Sequence, residues 1–180
     1  MPFDLIREHL EKLQLQTNTL LIVPVHQSHD AHVSVTRFLL DTFPGATGVY
    51  LSVNRPYRNL VQTLRKVDHT RIFFIDCVTK NEVDVPNCFF LKTPHASTMG
   101  VAVSAALKRH RPAFFIFDSV TAFAHAERGE QVIHFVRFLA QKLKGYETSS
   151  VLLMVTDGTN KRLAVELSSL CDHAIDVSEP

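Results

Sequence analysis

Apolar residues recur along this chain in two rhythms that alternate from one end to the other. Near the start Phe3, Ile6, Leu10 and Leu13 keep helical spacing among Glu8, Glu11 and Lys12. This predicts an amphipathic helix within roughly the first 18 residues, packed on the domain ahead of its first strand. Thr19 to Val25 (TLLIVPV) is then a short run rich in branched residues. Such a run suits a strand buried on both faces, as a parallel sheet requires. A helix is expected from about Asp30 to Leu40, closed by Pro44 and Gly45. Gly48 to Val53 reads as the second strand, Tyr57 to Val67 as a helix, and Arg71 to Val78 as the third strand. A short strand at Cys88 to Leu91 and a small-residue helix at Ser97 to His110 come next. Ala113 to Phe117 then forms a strand leading into Asp118, followed by one long helix from about Thr121 to Lys144. Ser150 to Thr156, Arg162 to Leu170 and His173 to Val177 complete the pattern as strand, helix and strand. The alternation predicts an α/β fold of three layers, a mostly parallel sheet with helices on both faces, as one domain over residues 1–180.

Composition narrows this picture more than it extends it. The chain has 180 residues, 46% hydrophobic and 21% charged, which supports one packed core and argues against disorder. Lys and Arg total 19 against 18 acidic residues, so there is no global field to draw the chain to nucleic acid or an anionic membrane. Cys77, Cys88 and Cys171 are odd in number and widely spaced, which suggests neither a disulfide framework nor a zinc knuckle. Asp4, Glu8 and Glu11 interrupt any basic-then-apolar leader, and no run approaches a membrane span. A cytoplasmic protein is expected.

In a doubly wound sheet the chemistry lies beyond the carboxyl ends of the strands. After the first strand comes His26-Gln27-Ser28-His29-Asp30-Ala31-His32. A phosphate loop at this place needs glycines, so that backbone N–H groups can curl around the phosphates, and a lysine to reach the outer ones. The first glycine is Gly45, and no lysine lies between Lys12 and Lys66. Farther on, Phe114-Phe115-Ile116-Phe117-Asp118 places a carboxylate at a strand tip, with Ser119 beside it. That carboxylate suits a magnesium shell in P-loop enzymes, or it caps the helix that follows.

Taken together these pieces resemble the RecA-type ATPases, and among them the KaiC-like branch. FFIFDSVTAF before a long helix, followed by SVLLMVT and HAIDV, follows that branch's layout. GVYLSVNRPYRNLVQTLRK resembles its second strand and helix, where the strand usually ends in two glutamates and a proline. The likeness spans about Thr19 to Val177 and implies a RecA-like, P-loop NTPase fold. By the same resemblance, the phosphate-loop lysine falls at about Ala31, and His32 takes the place of the magnesium-binding hydroxyl. Asn54 and Arg55 replace the glutamates, and neither is a general base at neutral pH. Asp118 and Ser119 remain as the remnant of a nucleotide and magnesium site, while His26, Ser28, His29, Asp30 and His32 are degenerate phosphate-loop positions.

Other clusters carry alternative readings. His26, His29 and His32 offer imidazoles, but residues three apart drift by about 60° per step around a helix, so no metal site is expected. Ser28 or Asp30 would instead cap the helix start. Ser28 beside His26 or His29 has no G-x-S-x-G frame for a hydrolase. Asp76 and Asp157 could join Asp118 along one sheet edge, or Asp157-Gly158 is simply a turn. Lys108 to Arg111 sits where the helix dipole favours cations. No basic patch is interleaved with base-stacking aromatics, so nucleic acid is not an expected partner.

The expectation is a catalytically inactive RecA/KaiC-like module without cofactor or small-molecule substrate, working by protein binding, regulation or self-association. Asn54, Arg55, Arg58 and Arg65 would form its interface. The rival readings are a nucleotide-binding protein or ATPase with an unconventional loop, and a recombinase-like accessory on DNA.

Overall fold

The computed structural model describes residues 2–11, 14–80 and 85–177. The strands are β1 (Asn18–Pro24), β2 (Gly48–Ser52), β3 (Ile72–Asp76), β4 (Cys88–Phe90), β5 (Phe114–Asp118), β6 (Ser149–Thr156) and β7 (His173–Asp176). The helices are α1 (Pro2–Leu10), α2 (Ser28–Thr42), α3 (Tyr57–Thr63), α4 (Ala96–His110), α5 (Val120–Ala126), α6 (Gly129–Gly145) and α7 (Lys161–Ser168). The seven strands pair in parallel in the order β4-β3-β2-β5-β6-β1-β7.

Period-two alternation divides each strand between two helical layers. Leu21, Val23, Tyr50, Phe114 and Ile116 face α1, α2 and α3, where they meet Ile6, Val35, Leu39 and Leu60. Leu20, Ile22, Leu51, Phe115 and Phe117 face the opposite layer and pack on Val103, Phe123, Val136 and Leu167. Within α1, Ile6 and Leu10 are fully buried; the Phe3 side chain and Leu13 lie outside the described residues. No described helix is long and apolar enough to cross a membrane.

Two helices differ from expectation. The long helix after Asp118 is broken into α5 and α6, because Glu127 and Arg128 take extended backbone angles. Glu127 turns its carboxylate to His95 at 3.1 Å, and the Arg128 N–H donates to Gln131 Oε1, restarting the helix. The helix after β2 ends at Thr63 rather than Val67: Leu64 is buried, and the Val67 N–H bonds back to the Leu64 carbonyl as the chain turns toward β3.

Gly48 opens β2 in register with Phe114 of β5, and a Cβ on it would fall inside the Phe114 ring. Gly48→Ala is therefore expected to destabilise the fold by about 2 kcal/mol through overpacking, with much of the loss recovered in Gly48→Ala/Phe114→Leu. Urea unfolding checks both, and a Gly48→Ala midpoint equal to the parent's would contradict the packing argument.

Candidate functional site

The tips of three neighbouring strands form one row, with Ser52 in register with Asp118 on one side and Asp76 on the other. Asp118 continues the strand row Phe114, Ile116 that faces α2, so its carboxylate enters the layer between the sheet and α2. It is 2% exposed. Burying a carboxylate is costly unless it is paired and hydrogen-bonded. Both conditions are met at one oxygen. Tyr50 Oη donates to Asp118 Oδ2 at 2.9 Å, and Arg55 Nε donates to the same oxygen at 3.0 Å.

The turn after β2 is what delivers the arginine. Ser52 Oγ accepts the Arg55 N–H and donates to the Arg55 carbonyl, folding residues 52–55 back over the sheet edge. Arg55 Nη2 also donates to the Ser28 carbonyl at 3.4 Å, so one guanidinium ties the β5 tip to the start of α2. Burial pushes the Asp118 carboxyl up, and Arg55 and Tyr50 oppose that rise. Burial, then the Asp118 carboxylate, pushes the Tyr50 hydroxyl well up.

One turn into α2, His32 is fully buried. Its Nδ1 lies 3.4 Å from the Ser28 carbonyl, which can only accept, so Nδ1 carries the proton and Nε2 is bare. Nε2 is buried with no hydrogen-bond partner among the described residues. Burial first, and the nearby Arg55 charge second, pull the imidazole down to about 4. It is neutral at physiological pH.

The remaining candidate residues separate. His26 lines a cleft with Pro24, Thr156 and Asp157, whereas His29 lines another with Arg7 and Lys66. His29 meets His32 edge to face, with ring centroids 5.4 Å apart. Among the described residues no three of His, Cys, Asp and Glu converge as a metal site would require. The expected cap at Ser28 or Asp30 is not formed. Gln27 holds the N-cap position without a side-chain bond, because a 3-10 turn at Val25–Gln27 runs straight into α2 and the Val25 carbonyl accepts the Ser28 N–H.

Nor does Asp118 cap the following helix. Its carboxylate is turned toward Tyr50 and Arg55, and the cap is Ser119, whose Oγ accepts from the Ala122 N–H at 3.3 Å. The Asp118–Ser119 peptide is cis. Asp76 is taken up locally: it accepts from the Tyr57, Val78 and Thr79 N–H groups and from the Thr79 hydroxyl. Asp157-Gly158 is a turn, with Gly158 at a φ of 92° and Asp157 accepting from Thr159.

Of the expected interface, Asn54, Arg58 and Arg65 are exposed. Arg55 differs from that expectation: its guanidinium turns inward to a buried carboxylate, leaving the side chain 21% exposed. Arg58 and Arg65 do not share a helix face either, since α3 ends at Thr63. Tyr50 belongs to the site and escaped the sequence reading. The available signal was a hydroxyl inside an otherwise apolar strand, which needs a partner when buried.

No protein-family model and no curated protein matches the chain. Solved structures do share its fold. The uncharacterized protein PH0321 from Pyrococcus horikoshii, determined in complex with an unknown peptide, superposes with a TM-score of 0.71 at 12% identity, covering 96% of this chain and 82% of that one. The KaiC-like protein PH0186 from Pyrococcus horikoshii OT3 superposes with a TM-score of 0.65 at 12% identity, covering 91% and 73%. The chain therefore has a KaiC-like, RecA-type fold.

Proposed function

We propose that this chain is a non-hydrolysing KaiC-like module that works by binding another protein in the cytoplasm. The observation that carries this reading is the Arg55 guanidinium on Asp118. In P-loop enzymes a strand-tip carboxylate holds the magnesium shell, and phosphoryl transfer depends on that charge arrangement. Here one oxygen of the carboxylate is taken by a guanidinium and a phenol from the same chain. The loop after β1 offers neither glycine nor lysine, and the imidazole of His32 is buried against its own helix. These residues do not suit a magnesium-bound nucleotide.

Protein binding is supported by PH0321, whose structure contains an unknown peptide, and by the exposed Arg58 and Arg65, which suit carboxylates on a partner. A reducing compartment agrees with three free cysteines, whose thiols burial pushes up to about 12. The purified protein is expected to release no phosphate from ATP and magnesium above the buffer rate, and to give no binding heat on titration with them. Turnover that Asp118→Ala abolishes would overturn the reading in favour of an unconventional ATPase. Salt-dependent capture of duplex DNA would favour the recombinase-like alternative.

A further inference from the structure

On the α4 side of the sheet the helical layer stops short of the edge. α4 packs on β2 and β3, while α5 and α6 continue the layer in the other direction. Over β3 and β4 a groove of about 590 Å³ is left beside α4. Its floor is apolar: Phe73, Phe89 and Leu91 point to this face, and Phe89 remains 47% exposed. Its wall is made by two rows of α4 at four-residue spacing, Ser97, Val101, Ala105 and Thr98, Ala102, Ala106. Val101 is 72% exposed.

We propose that this groove docks an amphipathic, acidic helix of a protein partner, an assignment that rests on the reading of the chain as a binding module. Rows at four-residue spacing are the ridges between which a second helix packs, and small side chains let its backbone approach closely. From Ser97 to His110 the wall is about 20 Å long at roughly 1.5 Å per residue, which matches four turns of partner helix. A helix laid there would cover Phe89 and Val101 and complete the layer.

Charge decides which helix. Among the described residues no acidic side chain lines the groove, and Arg109 lines it at the end where Lys108 and His110 also lie in the last turn of α4. His110 closes that end, stacked on Phe73 with ring centroids 4.2 Å apart, and its buried Nε2 has no hydrogen-bond partner among the described residues. A second copy of α4, which itself carries no acidic residue, would offer these cations no carboxylate. A partner carrying Asp or Glu beside its apolar stripe would pair with Arg109 and gain steering from the cluster.

The test is display selection of random peptides of roughly sixteen residues on the intact protein. It is followed by anisotropy titration of the selected peptides against the parent, Val101→Lys, Ala105→Arg and Arg109→Glu. Val101 and Ala105 are exposed, so their variants are expected to keep the parent's thermal unfolding, which circular dichroism verifies. Selected sequences are expected to carry apolar residues at helical spacing with Asp or Glu, and to become helical on binding. Val101→Lys and Ala105→Arg should each weaken binding by roughly tenfold or more, and Arg109→Glu should weaken it in a salt-sensitive way.

Selections that bind the groove variants as well as the parent, that favour basic peptides, or that yield no binder would overturn the groove assignment. So would a dimer of the parent, seen by light scattering, that Val101→Lys splits into monomers. The wider reading fails separately: ATP turnover would sink it whatever the peptides do, and peptides lost only in Arg58→Glu/Arg65→Glu would sink the groove alone.

Discussion

Arg55→Met is expected to lower the unfolding free energy by about 3 kcal/mol at neutral pH, more than any other single change at the strand tips. Arg55 supplies the cation that Asp118 sees, at 3.0 Å from a carboxylate that is 2% exposed, while the arginine side chain itself keeps 21% exposure. Removing one partner of such a pair leaves an uncompensated charge, a loss that runs to several kcal/mol when both groups are buried. The partial exposure of Arg55 sets the expected value at the lower end of that range.

Asp118→Asn should cost less, about 1 kcal/mol, because Arg55 can turn to water and an amide oxygen can still accept from Tyr50. Arg55 opposes the rise that burial imposes on the Asp118 carboxyl, so without it the carboxyl rises further. The folded variant then takes up a proton at higher pH than the parent, so its deficit shrinks as the solution is acidified. Urea unfolding of the parent and both variants at neutral pH and near pH 5 reads all of this. An Arg55→Met midpoint matching the parent's at neutral pH would mean that the pair contributes nothing.

The strands were legible because a parallel sheet covered on both faces demands near-continuous apolar runs, and TLLIVPV, FFIFD and SVLLMVT are such runs. Local signals located the elements but not the long-range closures that end or redirect them. The break between α5 and α6 has no proline, and it is fixed by Glu127 meeting His95, 32 residues away. Likewise, Arg55 after a strand and before a helix looks like any exposed turn residue. Only the placement of β2 beside β5 brings it to Asp118, 63 positions later. The absence of glycine and lysine after β1 was plain in the sequence. The groove beside α4 was not, because it depends on where the sheet ends rather than on any residue of α4.

Acid should expose the other strained group of the α2 layer. His32 has its imidazole pulled down to about 4, against an ordinary value of 6.5, by burial and then by Arg55. Because the folded value is the lower one, the unfolded chain takes the proton first. Stability is therefore constant above about pH 6.5, falls as the pH drops toward 4, and levels off once both states are protonated. The full loss is about 3 kcal/mol, of which about 2 kcal/mol is gone by pH 5. His110, also pulled down by burial, adds to the loss, while Asp118, pushed up, offsets part of it as the solution passes through the carboxylate range. The His32 contribution is isolated by comparison with His32→Leu, which removes a proton site and a bare Nε2 that has no partner among the described residues. At pH 7 the two proteins are expected to differ by no more than about 1 kcal/mol, since a neutral, half-satisfied imidazole gives way to an apolar group of similar size. At pH 5 His32→Leu should gain about 2 kcal/mol on the parent relative to its standing at pH 7. The check is urea unfolding at half-unit steps from pH 7 to pH 4.5, and parallel stability curves for the two proteins would show that His32 does not titrate in this window.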